Sequence, residues 1–231
     1  VTFPTRPLAE TPTVTVGQMR EVDRLMIEEA GISLLQMMEN AGRSLAALVM
    51  SRHGDRTVTV LAGSGGNGGG GLVAARHLAN RGRRVSVTVA STGLSPVAQL
   101  QFDIVSAMGI AITDEPEAGD LVIDALVGYS LRGDPRGRVA KLIEWANGQA
   151  SPVVALDVPS GVAADTGEPR DPAVRAATTL TIALPKAGLA YSRAVGDLFL
   201  TDISVPATVY RAIGVDVPAD LFASGQVVGL V

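Results

Sequence analysis

Apolar positions change their period along the chain. Val16, Met19, Val22, Leu25 and Met26 recur at helical spacing, so residues 16–30 are expected to form a helix. Thr15-Val16-Gly17-Gln18 opens it with a capping-box pattern, and Gly31 breaks it. Ser33-Leu34-Leu35-Gln36 is a second capping signal, opening a longer helix to about Arg52. From residue 57 short apolar runs alternate with helical stretches. Strands are expected at 57–62, 84–90, 120–128, 152–158, 178–184 and 197–203, with helices at 72–82, 95–108 and 137–149.

Strands separated by helices of this length build βαβ units and a mostly parallel sheet. Near-continuous apolar strands, such as the run Val153 to Leu156, fit a sheet covered on both faces. The fold class is therefore α/β, a three-layer αβα sandwich led by two N-terminal helices. Residues 1–14 are rich in Pro and Thr and are expected to form a loose arm; residues 15–231 form one domain.

Composition removes several function classes. Of 231 residues 26 are Gly and 13 are Pro, yet 47% are hydrophobic, which excludes collagen-like or disordered chain. The absence of Cys excludes disulfides, iron–sulfur clusters and thiolate nucleophiles, and the two His, His53 and His77, are too few for most zinc sites. Aromatic residues make up 3% and the net charge is −4, which argues against nucleic-acid binding. No apolar run is long enough to span a membrane and the N-terminus does not resemble a signal peptide, so a soluble, cytoplasmic protein is expected.

The glycine excess is concentrated in Gly63 to Gly71, where seven of nine residues are Gly. This segment is read as a loop between strand and helix whose N–H groups could cradle a phosphate. A tight turn without chemistry is the lesser reading. A Walker A loop is excluded because Leu72 follows Gly71. A standard dinucleotide-binding redox fold is disfavoured, because the next strand here does not end in the acid that would hold the ribose.

Asp124 and Asp157 each follow an apolar run and are placed at the sheet's carboxyl edge, where ligands of open α/β sheets bind. Pro159 and Gly161 can turn Ser160 back toward that edge. Asn67, Asp124 and Ser160 together offer hard oxygen ligands suited to an alkali or alkaline-earth cation. His77, Met37 and Met38 read as structural, and Asn40 as a brace of the active edge or a cap of a neighbouring turn. Lys186 reads as an ordinary surface lysine, with a phosphate contact as the lesser reading.

Five segments in order resemble the NAD(P)H-hydrate epimerase family, also described as apolipoprotein A-I-binding-protein-like. They are Met38 to Gly42, Asn67 to Leu78, Asp124 to Gly128, Asp157 to Gly161 with Asp165 to Gly167, and Thr179 to Thr181 with Pro185 and Lys186. The resemblance implies a Rossmann-like fold and interconversion of the R and S epimers of hydrated NADH or NADPH, a nicotinamide nucleotide repair reaction. It implies potassium held by Asn67, Asp124 and Ser160. It places the substrate dinucleotide against Gly66, Asn67, Gly68, Gly69 and Gly70, against Gly128, Tyr129, Ser130, Leu131, Arg132, Gly133 and Asp134, and against Asp157. Asp157 becomes the catalytic residue, stabilising a ring cation or shuttling a proton. A separate dehydratase is the implied functional partner, since 231 residues leave no room for that domain. A homodimer through the apolar N-terminal helices is allowed.

Four positions depart from the family's usual pattern. Gly66 and Gly70 stand where it carries Asn and Asp, and Tyr129 and Ser130 where it carries Thr and Gly. These departures keep a second reading open: a nucleotide-sensing or protein-binding module on the same fold.

Overall fold

The computed structural model describes residues 2–231. In chain order the strands are β1 (Thr5–Arg6), β2 (Val58–Ala62), β3 (Val85–Val89), β4 (Ala111–Ile112), β5 (Leu121–Ala125), β6 (Val153–Leu156), β7 (Thr178–Ile182), β8 (Asp197–Thr201) and β9 (Val227–Leu230). The helices are α1 (Val16–Glu28), α2 (Leu34–His53), α3 (Gly66–Ala79), α4 (Pro96–Ala107), α5 (Gly137–Asn147) and α6 (Ala207–Ala212). Both expected capping boxes form: Thr15 accepts from the Gln18 N–H, and Ser33 from the Gln36 N–H.

All nine strands join one sheet in the order β1-β9-β8-β7-β6-β5-β2-β3-β4. The pairs are parallel except β8 with β9. From β2 the chain steps outward to β3 and β4, then returns to pair β5 on the other side of β2. The strand order thus reverses between β2 and β5. Connections leave the carboxyl ends of these two strands in opposite directions, which opens a crevice for a ligand.

Strand residues alternate between two apolar layers. Val60, Ile123, Val154 and Leu156 pack into the larger cluster with Met19 and Met26 of α1, Leu45 and Leu48 of α2, and Leu72 of α3. Leu61, Val122 and Val153 face the other way, onto Leu142, Ile143 and Ala146 of α5. The αβα reading and the parallel sheet therefore stand.

Three expectations change. The described part of residues 1–14 is not loose: β1 pairs with β9, and the Leu8 N–H donates to the Val231 carbonyl at 2.8 Å. Val1 lies outside the described residues. The supposed glycine loop is mostly helix, because α3 starts at Gly66 rather than near Leu72. Helix propensity argues against a Gly-rich start, but close approach overrides it. A Cβ at Gly68 would lie 1.8 Å from the Gly63 carbonyl oxygen, so only glycine lets α3 begin so close to β2. Lastly, β1, β4, α6 and β9 carry no pattern strong enough to be read from sequence; β1 and β4 have only two residues each.

Candidate active site at the reversal of strand order

A cavity of about 230 Å³ opens beside the carboxyl ends of β2, β5 and β6. Gly66, Asn67 and Gly70 of α3 line it, with Gly128, Tyr129 and Ser130 after β5 and Leu156 and Asp157 at the end of β6. Met37 and Met38 of α2, Ile182 and Ile203 supply an apolar wall. Of the glycines expected to meet substrate, Gly68 and Gly69 do not line the cavity; both are buried. Leu131 is half-buried, and Arg132, Gly133 and Asp134 lie on an exposed stretch just beyond it.

Asp157 is buried, at 2% exposure, with φ of 70°. Ala183, after β7, and Ser204, after β8, are the other described non-glycine residues at positive φ. Such backbone costs about 1–3 kcal/mol per residue and collects at functional sites. Here it collects along one edge of the sheet. The turn expected at Pro159 and Gly161 forms, with Gly161 at φ of 95° and Ser160 turned onto Asp124; the left-handed backbone at Asp157 is a further bend that the sequence did not indicate.

Both oxygens of Asp157 are engaged. Oδ2 accepts the Tyr129 N–H at 2.9 Å, and Oδ1 forms a salt bridge with Lys186 Nζ. Lys186 is fully buried, so the surface-lysine expectation is wrong. Its ammonium also donates to the Ile182 carbonyl at 2.9 Å and lies 3.4 Å from Thr181 Oγ1. A parallel bridge from Val14 holds the backbone here: the Val14 N–H donates to the Pro185 carbonyl and the Ala187 N–H to the Val14 carbonyl. The arm thus positions the lysine.

Gly128 stands where Asn67 and Asp157 converge. A Cβ there would lie 2.7 Å from Asp157 Oδ2 and 3.3 Å from Asn67 Oδ1. Asn67 Nδ2 is buried with no partner in the protein. A buried orphan donor is costly and marks a place for an acceptor.

Asp124 and Ser160 lie deeper. Ser160 Oγ donates to Asp124 Oδ1 at 2.6 Å, and the Ser160 N–H to Oδ2 at 2.7 Å. The Leu126 N–H adds a third donor at 3.2 Å. Burial pushes the Asp124 carboxyl up to about 6, against the downward pull of the donors from Ser160 and Leu126. No cationic side chain pairs with it among the described residues.

Sequence reasoning missed Asp23. It lies on α1, lines the cavity, and accepts the Tyr129 hydroxyl on Oδ2 at 2.5 Å. The signal was present: Asp23 falls between Val22 and Met26 on the apolar stripe of α1. Lys186 also had a signal, as one of only two lysines, with Lys141, among 19 basic residues. His77 binds Glu39 at 2.7 Å, tying α3 to α2, which fits its structural reading. Asn40 donates to the carbonyl of Ile203, a cavity residue, at 3.4 Å, which favours the bracing alternative.

Residues 34–188 match the family described as YjeF-related protein N-terminus. An NAD(P)H-hydrate epimerase of Dehalogenimonas lykanthroporepellens is 49% identical over 96% of this chain and 94% of its own length. One from Rhodopirellula baltica is 36% identical over 91% of each chain. A bifunctional NAD(P)H-hydrate repair enzyme of Salinibacter ruber is 39% identical over 84% of this chain, which spans 41% of that relative. A solved yeast protein superposes with a TM-score of 0.83 at 24% identity, over 95% of this chain and all of the other, and so shares the fold.

Proposed function

The chain belongs to the YjeF-related protein N-terminus family, and from that membership we infer that it is an NAD(P)H-hydrate epimerase, an isomerase of nicotinamide nucleotide repair. The observation that carries the reading at the site is Asp157, a strained, buried carboxylate held at the floor of the crevice between β2 and β5.

The chemistry needs little else. The C6 hydroxyl of the hydrate sits beside a ring nitrogen. When the C6–O bond breaks, the nitrogen lone pair forms an iminium-type cation. Water adding from the opposite face inverts the centre. A preorganised carboxylate stabilises the cation without reorganising, which is the largest contribution such sites make. Asp157 is fixed for this by Lys186 on one oxygen and the Tyr129 N–H on the other. The cavity, at about 230 Å³, falls below the roughly 300–1,000 Å³ of drug-sized sites and suits one end of a dinucleotide. The rest extends along residues 131–134. The α3 N-terminus lacks a side-chain cap, so its first N–H groups suit the pyrophosphate, and Asn67 Nδ2 gains an acceptor there.

The residues also fit potassium. Asp124 is a buried carboxylate without a cationic neighbour, and Asn67, Asp124 and Ser160 offer hard oxygens. Bound there, the ion would supply fixed positive charge to the anionic part of the substrate. Potassium chloride is expected to raise the melting temperature relative to tetramethylammonium chloride at equal ionic strength, because an ion binding only the folded state stabilises it. Asn67→Ala should remove that gain; an unchanged gain removes Asn67 from the ligand set.

The test of function follows R-to-S conversion of NADPH hydrate, with a separate dehydratase consuming the S form. Catalytic amounts should drain both epimers. Zero turnover with intact dinucleotide binding favours the sensing-module reading, which Gly70 and Tyr129 motivate by altering the cavity wall.

A further inference from the structure

We propose that Asp23 is a second catalytic residue of this site, giving its proton to the departing C6 hydroxyl while Asp157 faces the ring cation. The proposal rests on the epimerase reading.

Asp157 is poorly placed to donate a proton. Its Oδ1 is held by Lys186 and its Oδ2 by the Tyr129 N–H, so both oxygens already act as acceptors. Asp23 lines the same cavity in a different environment. Its Oδ2 accepts the Tyr129 hydroxyl, and its Oδ1 has no hydrogen-bond partner among the described residues, which leaves that oxygen for substrate. Among the described residues no cationic side chain forms an ion pair with it; Lys186 spends its hydrogen bonds on Asp157, Ile182 and Thr181. Tyr129 therefore bridges the two carboxyl groups, backbone to one and hydroxyl to the other.

The position of α1 is itself tied to later parts of the chain. Asp165 Oδ1 accepts the Val16 N–H at 2.7 Å, and Gln18 Nε2 reaches the Ile213 carbonyl at 3.4 Å. Asp23 then stands two helical turns in, on the buried stripe with Met19 and Met26.

The titratable groups facing Asp23 are Tyr129 after β5, Asp157 after β6 and Lys186 after β7, with Arg20 acting on Tyr129 from α1. Burial raises the Asp23 carboxyl. The Tyr129 hydrogen bond and the Lys186 charge pull it down, Asp157 pushes it up, and it stays above its usual range. Burial and the Asp23 charge raise the Tyr129 phenol, which keeps its proton and remains a donor. The two carboxyl groups thus share one site in unlike surroundings, Asp157 with both oxygens held and Asp23 with one left open, an arrangement that suits a charge-stabilising group beside an acid.

In the step itself, the Asp23 proton passes to the hydroxyl oxygen. The C6–O bond breaks and its electron pair leaves with water. The ring nitrogen lone pair closes the C=N bond, and Asp23 is left as carboxylate. Water then adds to C6 from the opposite face; its surplus proton goes to solvent, from which Asp23 is reprotonated.

The test uses the full chain with R-NADPH hydrate and the coupling dehydratase. Asp23→Asn is expected to lower kcat by about 100- to 1,000-fold, within the usual range for loss of a general acid. KM should stay within a few-fold. The wild-type rate should fall as pH rises through the Asp23 titration, and Asp23→Asn should lose that limb. Tyr129→Phe removes the donor that lowers Asp23, so it should move the limb to higher pH. Full rate or a retained limb in Asp23→Asn overturns the proposal. If Asp23→Asn does not fold, Tyr129→Phe decides: a shifted limb supports the role and an unmoved one overturns it. A wild type without turnover overturns the epimerase reading and this proposal together, whereas an active wild type with an indifferent Asp23 overturns only the second.

Discussion

Lys186→Met is expected to cost this protein about 3–5 kcal/mol of stability, the usual penalty for removing one partner of a buried ion pair. Lys186 is 0% exposed and Asp157 2%, so solvent screens neither charge. With the ammonium gone, the Asp157 carboxylate is left in an apolar surround with the Tyr129 N–H as its remaining donor. Domains of this size lose about 2–4 °C in melting temperature per kcal/mol, so the midpoint should fall by about 6–20 °C. The double change Asp157→Leu with Lys186→Met should recover most of the loss, because removing both charges removes the desolvation problem. Neither protein should turn over substrate. Thermal and urea melts on the three chains check this. A single-variant loss under about 1 kcal/mol, in the range of exposed pairs, would show that Lys186 is not buried as described.

Gly68→Ala carries the second large effect. Its Cβ would lie 1.8 Å from the Gly63 carbonyl oxygen and 2.7 Å from the Gly63 nitrogen, and backbone cannot rotate aside as a side chain can. The start of α3 must lift from β2, so a loss of about 3 kcal/mol or more is expected, at the upper end for overpacking. Gly66→Ala, two residues earlier, meets only Met38 Cε at 3.7 Å. It should leave stability within about 1 kcal/mol, on the favourable side, since Ala loses less backbone freedom than Gly. Glycines kept only to cradle an anion would instead tolerate both changes in a melt and fail both in binding. Denaturant midpoints for the two variants separate these accounts.

Tyr129 shows how a departure from the family pattern can carry structure. Its ring stands 5.8 Å from Lys186 Nζ, its N–H holds Asp157 and its hydroxyl holds Asp23. Gly70 is closely packed as well: it lines the cavity, and a Cβ there would lie 2.8 Å from Leu156 Cδ2.

Element order was legible in the chain because strand and helix periods are local. Val153 to Leu156 and Leu121 to Ala125 are buried throughout, as central strands covered on both faces must be, and they read as apolar runs. Asp124, near the end of β5, and Asp157, just after β6, lie at the carboxyl ends of their strands as expected, but both stay buried, which the apolar run alone does not reveal. Periodicity does not say which strands are neighbours. That β5 returns beside β2, creating the crevice, emerges only from the assembled sheet. The Asp157–Lys186 bridge spans 29 residues and the Asp23–Tyr129 bond 106, separations at which no local pattern operates. Burial decides what those side chains are: a lysine that composition assigns to the surface becomes the counter-charge of the site, and an acid on a leading helix becomes part of its wall. Glycine works the same way. Its abundance could be counted along the chain, but its purpose at Gly68 rests on the Gly63 carbonyl, which only packing of α3 on β2 brings within reach.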